Sequence, residues 1–582
     1  MNTEVRFRQC RVSVLMQRGK WLQALFVATW LAGIFLATLP VQALTYWVDT
    51  TNGNDSWSGT SSNLVSGTNG PFKSFVNFNY GGRLAPNGSG PPAGTTVFVR
   101  GLIDHTSDNI ASSLDLSYAM GTSNNPIVFS NWPGYTCIIS NSGPTQSTIA
   151  LTDCSWVKIF GINSTNAYRT PSFQYDTNCE YAYSSSGGSN ALGTLNIVTI
   201  YNNSQSNWIH GCTFGPVVPF DNPSGDGGSH GVTMGQFYAT NDFTSYNIIE
   251  SNTFFHSGHD VLSVYGPSNI IQYNWGHSAP WYSFTNVAWG SRDLEVGGTI
   301  GNYNLIQYNN WNYAGYVPDQ GCHGVEMSDG AFEIFRYNYC LNDAACGIIV
   351  YGGKVGGTTS CSNYIYNNTL AFDGFDSTYT TSGSVTNESD PVWQNIMAFT
   401  STRSNFIVNN LAYDNFTNTT AFFDGVNVDV ARWANNLTNT DPLFANTNDT
   451  AGEFVLTPPD CSIPYNSPAV AAGTWLAYIT SAPATNGTSF NVDNAGYFWG
   501  NTFSAGARTF FGDTIQLQGQ MITAQITSIS GNAITVNSPL TWTNGQGVAL
   551  PYSLAAPDVG AFVYMPPPLT EPLNFRITGT GP

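Results

Sequence analysis

Five short segments between Ser229 and Gly353 share one pattern: His230-Gly-Val-Thr-Met, His259-Asp-Val-Leu-Ser, Arg292-Asp-Leu-Glu-Val, His323-Gly-Val-Glu-Met and Cys346-Gly-Ile-Ile-Val. Between them runs a second pattern, apolar-apolar-polar-x-Asn, which ends at Asn252, Asn274, Asn309 and Asn338 and continues at Asn367 and Asn409. A constant strand core at elastic intervals means stacked coils joined by loops of variable length. Equivalent residues of successive coils then lie about 4.8 Å apart, so aligning the repeats maps a surface. The expected fold is all-β: a single-stranded right-handed parallel β-helix (β-solenoid), with an N-terminal cap and a small C-terminal β insertion.

Composition supports an all-β fold and narrows the partners. No 3.6-residue periodicity is sustained after the N-terminus, and 59 Gly and 30 Pro are scattered throughout, which excludes long helices. Aromatic residues make up 14% of the 582 residues, enough material for a core and against disorder. Charged residues are only 9%, where about 25% is ordinary.

Residues 1–43 have the layout of a signal peptide: Arg6, Arg8, Arg11, Arg18 and Lys20, then apolar Trp21 to Leu39, then Val41-Gln42-Ala43. The alternative is an uncleaved anchor, since the apolar run approaches spanning length. The formal net charge of −19 becomes more negative once those basic residues are removed. That excludes nucleic acid as a partner. It also disfavours polyanions unless Ca²⁺ or a local basic cluster intervenes. With no second membrane segment, the mature chain is expected to be secreted or at the cell surface, extracellular or periplasmic. Export permits disulfides. Cys340 and Cys361 could join neighbouring coils, but 10 cysteines less Cys10 leaves an odd number. Cys346 reads instead as a small buried apolar residue.

The segment Tyr46-Trp-Val-Asp-Thr-Thr-Asn-Gly-Asn-Asp-Ser-Trp-Ser-Gly-Thr60, followed by Gly70-Pro-Phe-Lys-Ser-Phe75, resembles the start of secreted β-helix proteins of the pectate-lyase-like superfamily. The resemblance implies that Phe75 to Tyr80 caps the open end of the coil, which otherwise exposes unpaired strand edges. Thr440-Asp-Pro-Leu-Phe444, Asn466 to Gly473 and Pro557 to Tyr564 resemble the C-terminal pattern of the same superfamily. The expected division is a signal peptide over 1–43, an N-terminal strand and cap over 44–95, the β-helix over 96–483, a β insertion over 484–552, a final strand over 553–565 and a Pro-rich tail over 566–582. Within the insertion, Gly512-Asp-Thr-Ile-Gln-Leu and Asn532-Ala-Ile-Thr-Val-Asn read as paired strands. Tyr273, Tyr308, Tyr337 and Tyr366 precede the repeated Asn and are expected to form one column.

Aligned by first residue, the five segments put apolar or small residues in the third and fifth columns, which face the core. The second and fourth columns then face solvent. On this alignment Asp260, Asp293, Glu295 and Glu326 gather in one patch over three coils, with His259, Arg292 and His323 stacked beside them. Like charges at such spacing need a cation, a shared proton or a counter-charge.

Three readings stand. Asp293, Glu295 and Glu326 could hold Ca²⁺ while a neighbouring Arg, Lys or His removes a proton α to a uronate carboxyl. Two carboxylates could cleave a glycosidic bond. The patch could also be a solvated face balanced by Arg292. The run Cys322 to Asn338 is similar in layout to β-helix alginate and chondroitin lyases, although Asp329 stands near the place of their lysine and only Lys354 and Arg336 remain as local cations. His256, His259 and His277 suggest zinc more weakly than they suggest turn hydrogen bonds. Trp275, Trp281, Trp289, Trp311 and Tyr316 crowd the adjoining connections and could stack on sugar rings. No Gly-x-Ser-x-Gly, phosphate loop or dinucleotide fingerprint occurs. The expected function is a carbohydrate-active protein that binds and cleaves a polysaccharide on the 259–326 face; the alternative is a non-catalytic surface, matrix or adhesion protein using the coil as a rod.

Overall fold

The computed structural model describes residues 44–562 apart from single positions 89, 237 and 439 and the segments 106–113, 142–146, 167–195, 218–229, 256–259, 280–291, 299–300, 315–322, 344–345, 352–361, 374–395, 399–402, 414–428 and 447–459. The chain divides into Met1–Ala43 and Leu44–Pro582, and every described residue belongs to the second unit. The proposed signal segment therefore lies outside the described residues, as do Cys361 and Lys354.

Each coil contributes one strand to each of three parallel sheets. Ile248–Glu250, Thr253–Phe255 and Asp260–Val264 form one such coil. The next coil repeats it: Ile270–Gln272 pairs with Ile248–Glu250, Trp275–Ala279 with Thr253–Phe255, and Arg292–Gly297 with Asp260–Val264, all parallel. The third sheet runs through nine strands from Leu114–Asp115 to Ile396–Ala398 among the described residues. This is a parallel β-helix, and right-handed crossovers are the rule for such connections.

The apolar pair of the second repeat faces two ways. Ile249, Ile271, Ile306, Phe335, Ile365 and Ile407 point into the coil. Their neighbours Ile248, Ile270, Leu305, Ile334 and Tyr364 point outward into a second core shared with Tyr497, Trp499, Ile515, Leu517 and Trp542. From Ile248 to Tyr364 both faces of the first sheet are thus covered, which is why those strands begin with an apolar pair rather than an alternation. The cover is a six-stranded antiparallel sheet between Ala477 and Ala549. Thr514–Leu517 and Ala533–Trp542 both lie in it, but Thr523–Ser530 runs between them and pairs with each, so the two are not paired to each other as expected.

The turns are held by two asparagine ladders. Asn309 is typical: its Oδ1 accepts from the backbone N and Nδ2 of Asn274, and its Nδ2 donates to Ile271 O and Asn338 Oδ1. Asn368 and Asn410 extend the ladder, not Asn367 and Asn409. The latter pair take the left-handed turn position (φ 54° and 56°) held by Tyr273, Tyr308 and Tyr337 in earlier coils. Those three tyrosines stack with centroids 5.2 Å apart. Tyr366 is not in that column; its hydroxyl accepts from Arg336 and donates to Tyr497 O. A second ladder, missed in the sequence, joins Asn207, Asn247, Asn269, Asn304, Glu333, Asn363 and Asn405.

At the N-terminal end, Phe72, Phe75 and Phe78 are fully buried. Phe75 and Phe78 pack edge-on against Phe129 at 6.2 and 5.5 Å. Cys137, Cys154, Cys212 and Cys461 are buried thiols, and burial pushes Cys154, Cys212 and Cys461 up to about 12. They behave as small apolar groups. No disulfide forms among the described residues, so the link between Cys340 and Cys361 is not seen; the latter residue and the side chain of Cys346 lie outside them.

Candidate functional site

The third sheet corrects the alignment of its repeats by one residue. Asp260 pairs with Arg292, Leu262 with Leu294, Ser263 with Glu295 and Val264 with Val296. Arg292 pairs in turn with His323, and Glu295 with Glu326. Arg292 and His323 do stack, but the residue below them is Asp260. His259, the residue preceding Asp260 in sequence, lies outside the described residues. The physical reason is the core: this register places Leu262 and Val264 inward, both with no exposed surface, whereas the alternative would put Ser263 among Met234, Val296, Met327 and Val350.

The shift redistributes the four acids. Asp260 shares its column with a cation. Asp293 stands beside Val261, in the column of Gly231, Gly324 and Gly347. At Gly324 a side chain has no room, because an added Cβ would lie 2.1 Å from Asp343 Oδ2. Glu295 and Glu326 remain adjacent in the fourth column, above Ser263. This column is not a solvated face: Glu295 is 3% exposed, and Glu326, Ser263 and Asp260 are 0%. Asp260, Glu295 and Glu326 are therefore not solvent-facing, as the third reading expected them to be. The side chains of Arg292, Asp293 and His323 lie outside the described residues.

Around Glu295 the hydrogen bonds are short. Tyr265 Oη donates to Glu295 Oε2 at 2.7 Å, and Ser263 Oγ donates to Asp260 Oδ2 at 2.9 Å. Burial first, then the charges of Glu295 and Asp260, hold the Tyr265 phenol well above its ordinary value. It stays protonated and remains a hydrogen-bond donor to Glu295. Ser263 and Tyr265 were not picked out in the sequence, yet the corrected register would have found them: Tyr265 directly follows Val264, the last core position of its strand.

Other candidates separate from this cluster. Trp311 is fully buried in the main core, its indole lying over Gly276, where a Cβ would come within 2.6 Å of the ring; it is a packing residue and not a sugar platform. Trp275 is half-buried on the second sheet. Trp281, Trp289 and Tyr316 lie outside the described residues, as do His256 and the side chain of His277. Arg336 is buried on the first sheet in a two-pronged bond with Asp513, at 2.6 and 2.5 Å. Burial, the largest single influence, lowers its pKa, but Asp513, by charge and hydrogen bond, together with Tyr366 and Tyr308 raises it well above the ordinary value. It is not a cation available to the third sheet. Among the described residues no three metal-ligating side chains converge.

No family model matches the chain, and no curated protein matches it. Solved structures are similar in fold. They include the crystal structure of pectate lyase Pel9A, 12% identical, covering 89% of this chain and 96% of that one, with a TM-score of 0.46. The lacto-N-biosidase of Eubacterium ramulus is 13% identical, with 75% and 74% covered and a TM-score of 0.37. XylC in complex with xylose is 10% identical, with 87% and 99% covered and a TM-score of 0.39. Among the described residues no helix is long and apolar enough to cross a membrane. The strand pairing itself shows this chain to be an all-β parallel β-helix.

Proposed function

We propose that the protein is an extracellular carbohydrate-active enzyme that takes an extended polysaccharide along its third sheet and hydrolyses a glycosidic bond with Glu295 and Glu326. The observation that carries this reading is the Tyr265–Glu295 bond beside Glu326. In a chain only 9% charged, two buried carboxylates in one column need a use, because burying charge is costly. Adjacent coils set the column about 4.8 Å apart, which suits the carboxyl separation of about 5 Å of retaining cleavage. Glu295, which accepts the Tyr265 hydrogen bond, is the nucleophile. It attacks the anomeric carbon as Glu326 gives its proton to the departing glycosidic oxygen. Water then hydrolyses the glycosyl ester, with Glu326 as base. Asp260, fixed by Ser263, and the column partners Arg292 and His323 orient the sugar. Trp275, Trp281, Trp289 and Tyr316 supply stacking surfaces.

The test is incubation of the mature protein with a panel of neutral and acidic polysaccharides, with and without Ca²⁺. Hydrolysis releases reducing ends without absorbance from unsaturated uronate. A rise in that absorbance that requires Ca²⁺ would instead establish elimination, with Asp293, Glu295 and Glu326 as metal ligands. Release of neither product from any polysaccharide would favour the scaffold alternative and reject both enzymes.

A further inference from the structure

We infer that the seam between the first sheet and the antiparallel domain holds a binding site for one monoanionic oxyanion group, a carboxylate or a sulfate ester, built from Lys158, His210 and Arg508. The site is separate from the acidic column, lies on another sheet and does not depend on the hydrolase reading.

Three successive strands of the first sheet form its floor: Val157–Phe160, Trp208–His210 and Ile248–Glu250. Trp208 lies over Lys158, and His210 lies between Phe160 and Glu250. The hairpin of Phe503–Ala505 and Arg508–Phe510 crosses above them. Its Gly506 comes so close that an added Cβ would meet Trp208 Cβ at 3.0 Å and Lys158 Cβ at 3.3 Å. The protein has only 17 Lys and Arg in 582 residues, and two of them meet here.

Their anionic partners do not match them. Glu250 takes Arg508 Nη2 at 3.0 Å and Trp208 Nε1 at 3.1 Å. Among the described residues Lys158 Nζ meets no carboxylate, and it sits over the rings of Trp208 and Phe160, at 4.4 and 5.5 Å. One positive charge is therefore left over. Among the described residues, two further nitrogens are buried without a hydrogen-bond partner, His210 Nε2 and Arg508 Nε. A buried polar atom left unbonded costs about 1–3 kcal/mol, and a bound ion is among the usual reasons one persists. One oxyanion answers all three: it accepts from Arg508 Nε–H, from the Lys158 ammonium and from a His210 imidazole protonated on Nε2, and it neutralises the surplus charge. The aromatic faces are already occupied, with His210 stacked on Trp208 at 3.8 Å and on Phe160 at 4.4 Å. The site therefore grips the anionic group rather than a sugar ring.

Without the anion, desolvation, Lys158 and Arg508 depress the His210 imidazole to about 4. Binding should raise that value, giving a readout at the site itself. The experiment follows the His210 ring nitrogens by NMR in the ¹⁵N-histidine-labelled mature protein, titrated with sodium glucuronate, methyl sulfate, glucose and sodium chloride at constant ionic strength. Saturable shifts and a raised His210 pKa with glucuronate and methyl sulfate are expected, with none from glucose or chloride. A response to glucuronate alone would assign the site to an acidic sugar; a response to methyl sulfate alone would assign it to sulfate esters. Lys158→Met and Arg508→Gln should each weaken binding about tenfold or more, the loss of a charge-assisted hydrogen bond, in samples whose circular dichroism matches the wild type. Absence of a saturable response, an equal response to chloride, or unchanged affinity in both variants would overturn the site.

Discussion

Two buried polar columns run up this β-helix on different sheets, and they differ in the groups they stack. On the first sheet, Glu250, Gln272, Gln307, Arg336 and Tyr366 hand hydrogen bonds from coil to coil. The column's central cation meets the opposite charge of Asp513. On the third sheet, the carboxyl groups of Glu295 and Glu326 hold neighbouring places in one column, and the Tyr265 phenol donates to Glu295. The first column is complementary within itself and serves to dock the antiparallel domain. The second sets two buried carboxyl side chains on adjacent coils.

The sharpest break between them should come from isosteric neutralisation. Glu295→Gln should cut polysaccharide hydrolysis by about 10²–10⁴-fold, the scale of acid, base and nucleophile losses, measured as reducing ends released per folded molecule. Tyr265→Phe should lower the same rate about tenfold, since one hydrogen bond to a charged group is removed. Arg336→Met should do the reverse. It strands Asp513 in the interior and should lower unfolding free energy by about 3–5 kcal/mol, read by denaturant melts, while the rate of the folded fraction is kept. Adding Asp513→Leu to it should recover most of that loss.

Smaller effects sharpen the contrast. Asn309→Ala removes a ladder amide and leaves the Asn274 backbone N–H unbonded, for about 1–3 kcal/mol. In the other ladder Glu333 stands where neighbouring coils have Asn. Burial, only partly offset by hydrogen bonds from Asn304, holds its carboxyl well above the ordinary value. Folding therefore takes up a proton there. The stabilisation is complete below the unfolded pKa and is lost as pH rises toward the folded one. Glu333→Gln should raise the melting temperature near neutral pH, with a benefit that shrinks as the pH is lowered to about 4.

The fold was legible because its signals are local and repeated. Ile249 and Ile271 mark the inward positions, and Asn252 and Asn274 mark the turns. The preceding Asn247 and Asn269 carried the second ladder equally openly, as Asn-apolar-apolar. Column membership was less secure, because alternation fixes which face a residue takes only after the register is known. Matching His259 to Arg292 by their place at the head of a segment cost one residue; matching Leu262 and Val264 to the apolar columns recovers it. The role of Arg336 was not legible, since its partner Asp513 is 177 residues away in sequence. The burial of Glu295 and Glu326 was hidden for a similar reason: strand alternation gives a face but not what covers it.

The most direct test is a paired measurement on Glu326→Gln, with hydrolysis rate and unfolding free energy taken from the same preparation. The predicted result is a rate at least about a hundredfold down in a protein as stable as the wild type, because a neutral amide takes the place of the protonated acid. Full activity in a protein that unfolds as readily as Arg336→Met would show that the third-sheet carboxylates are structural, and the account would fail.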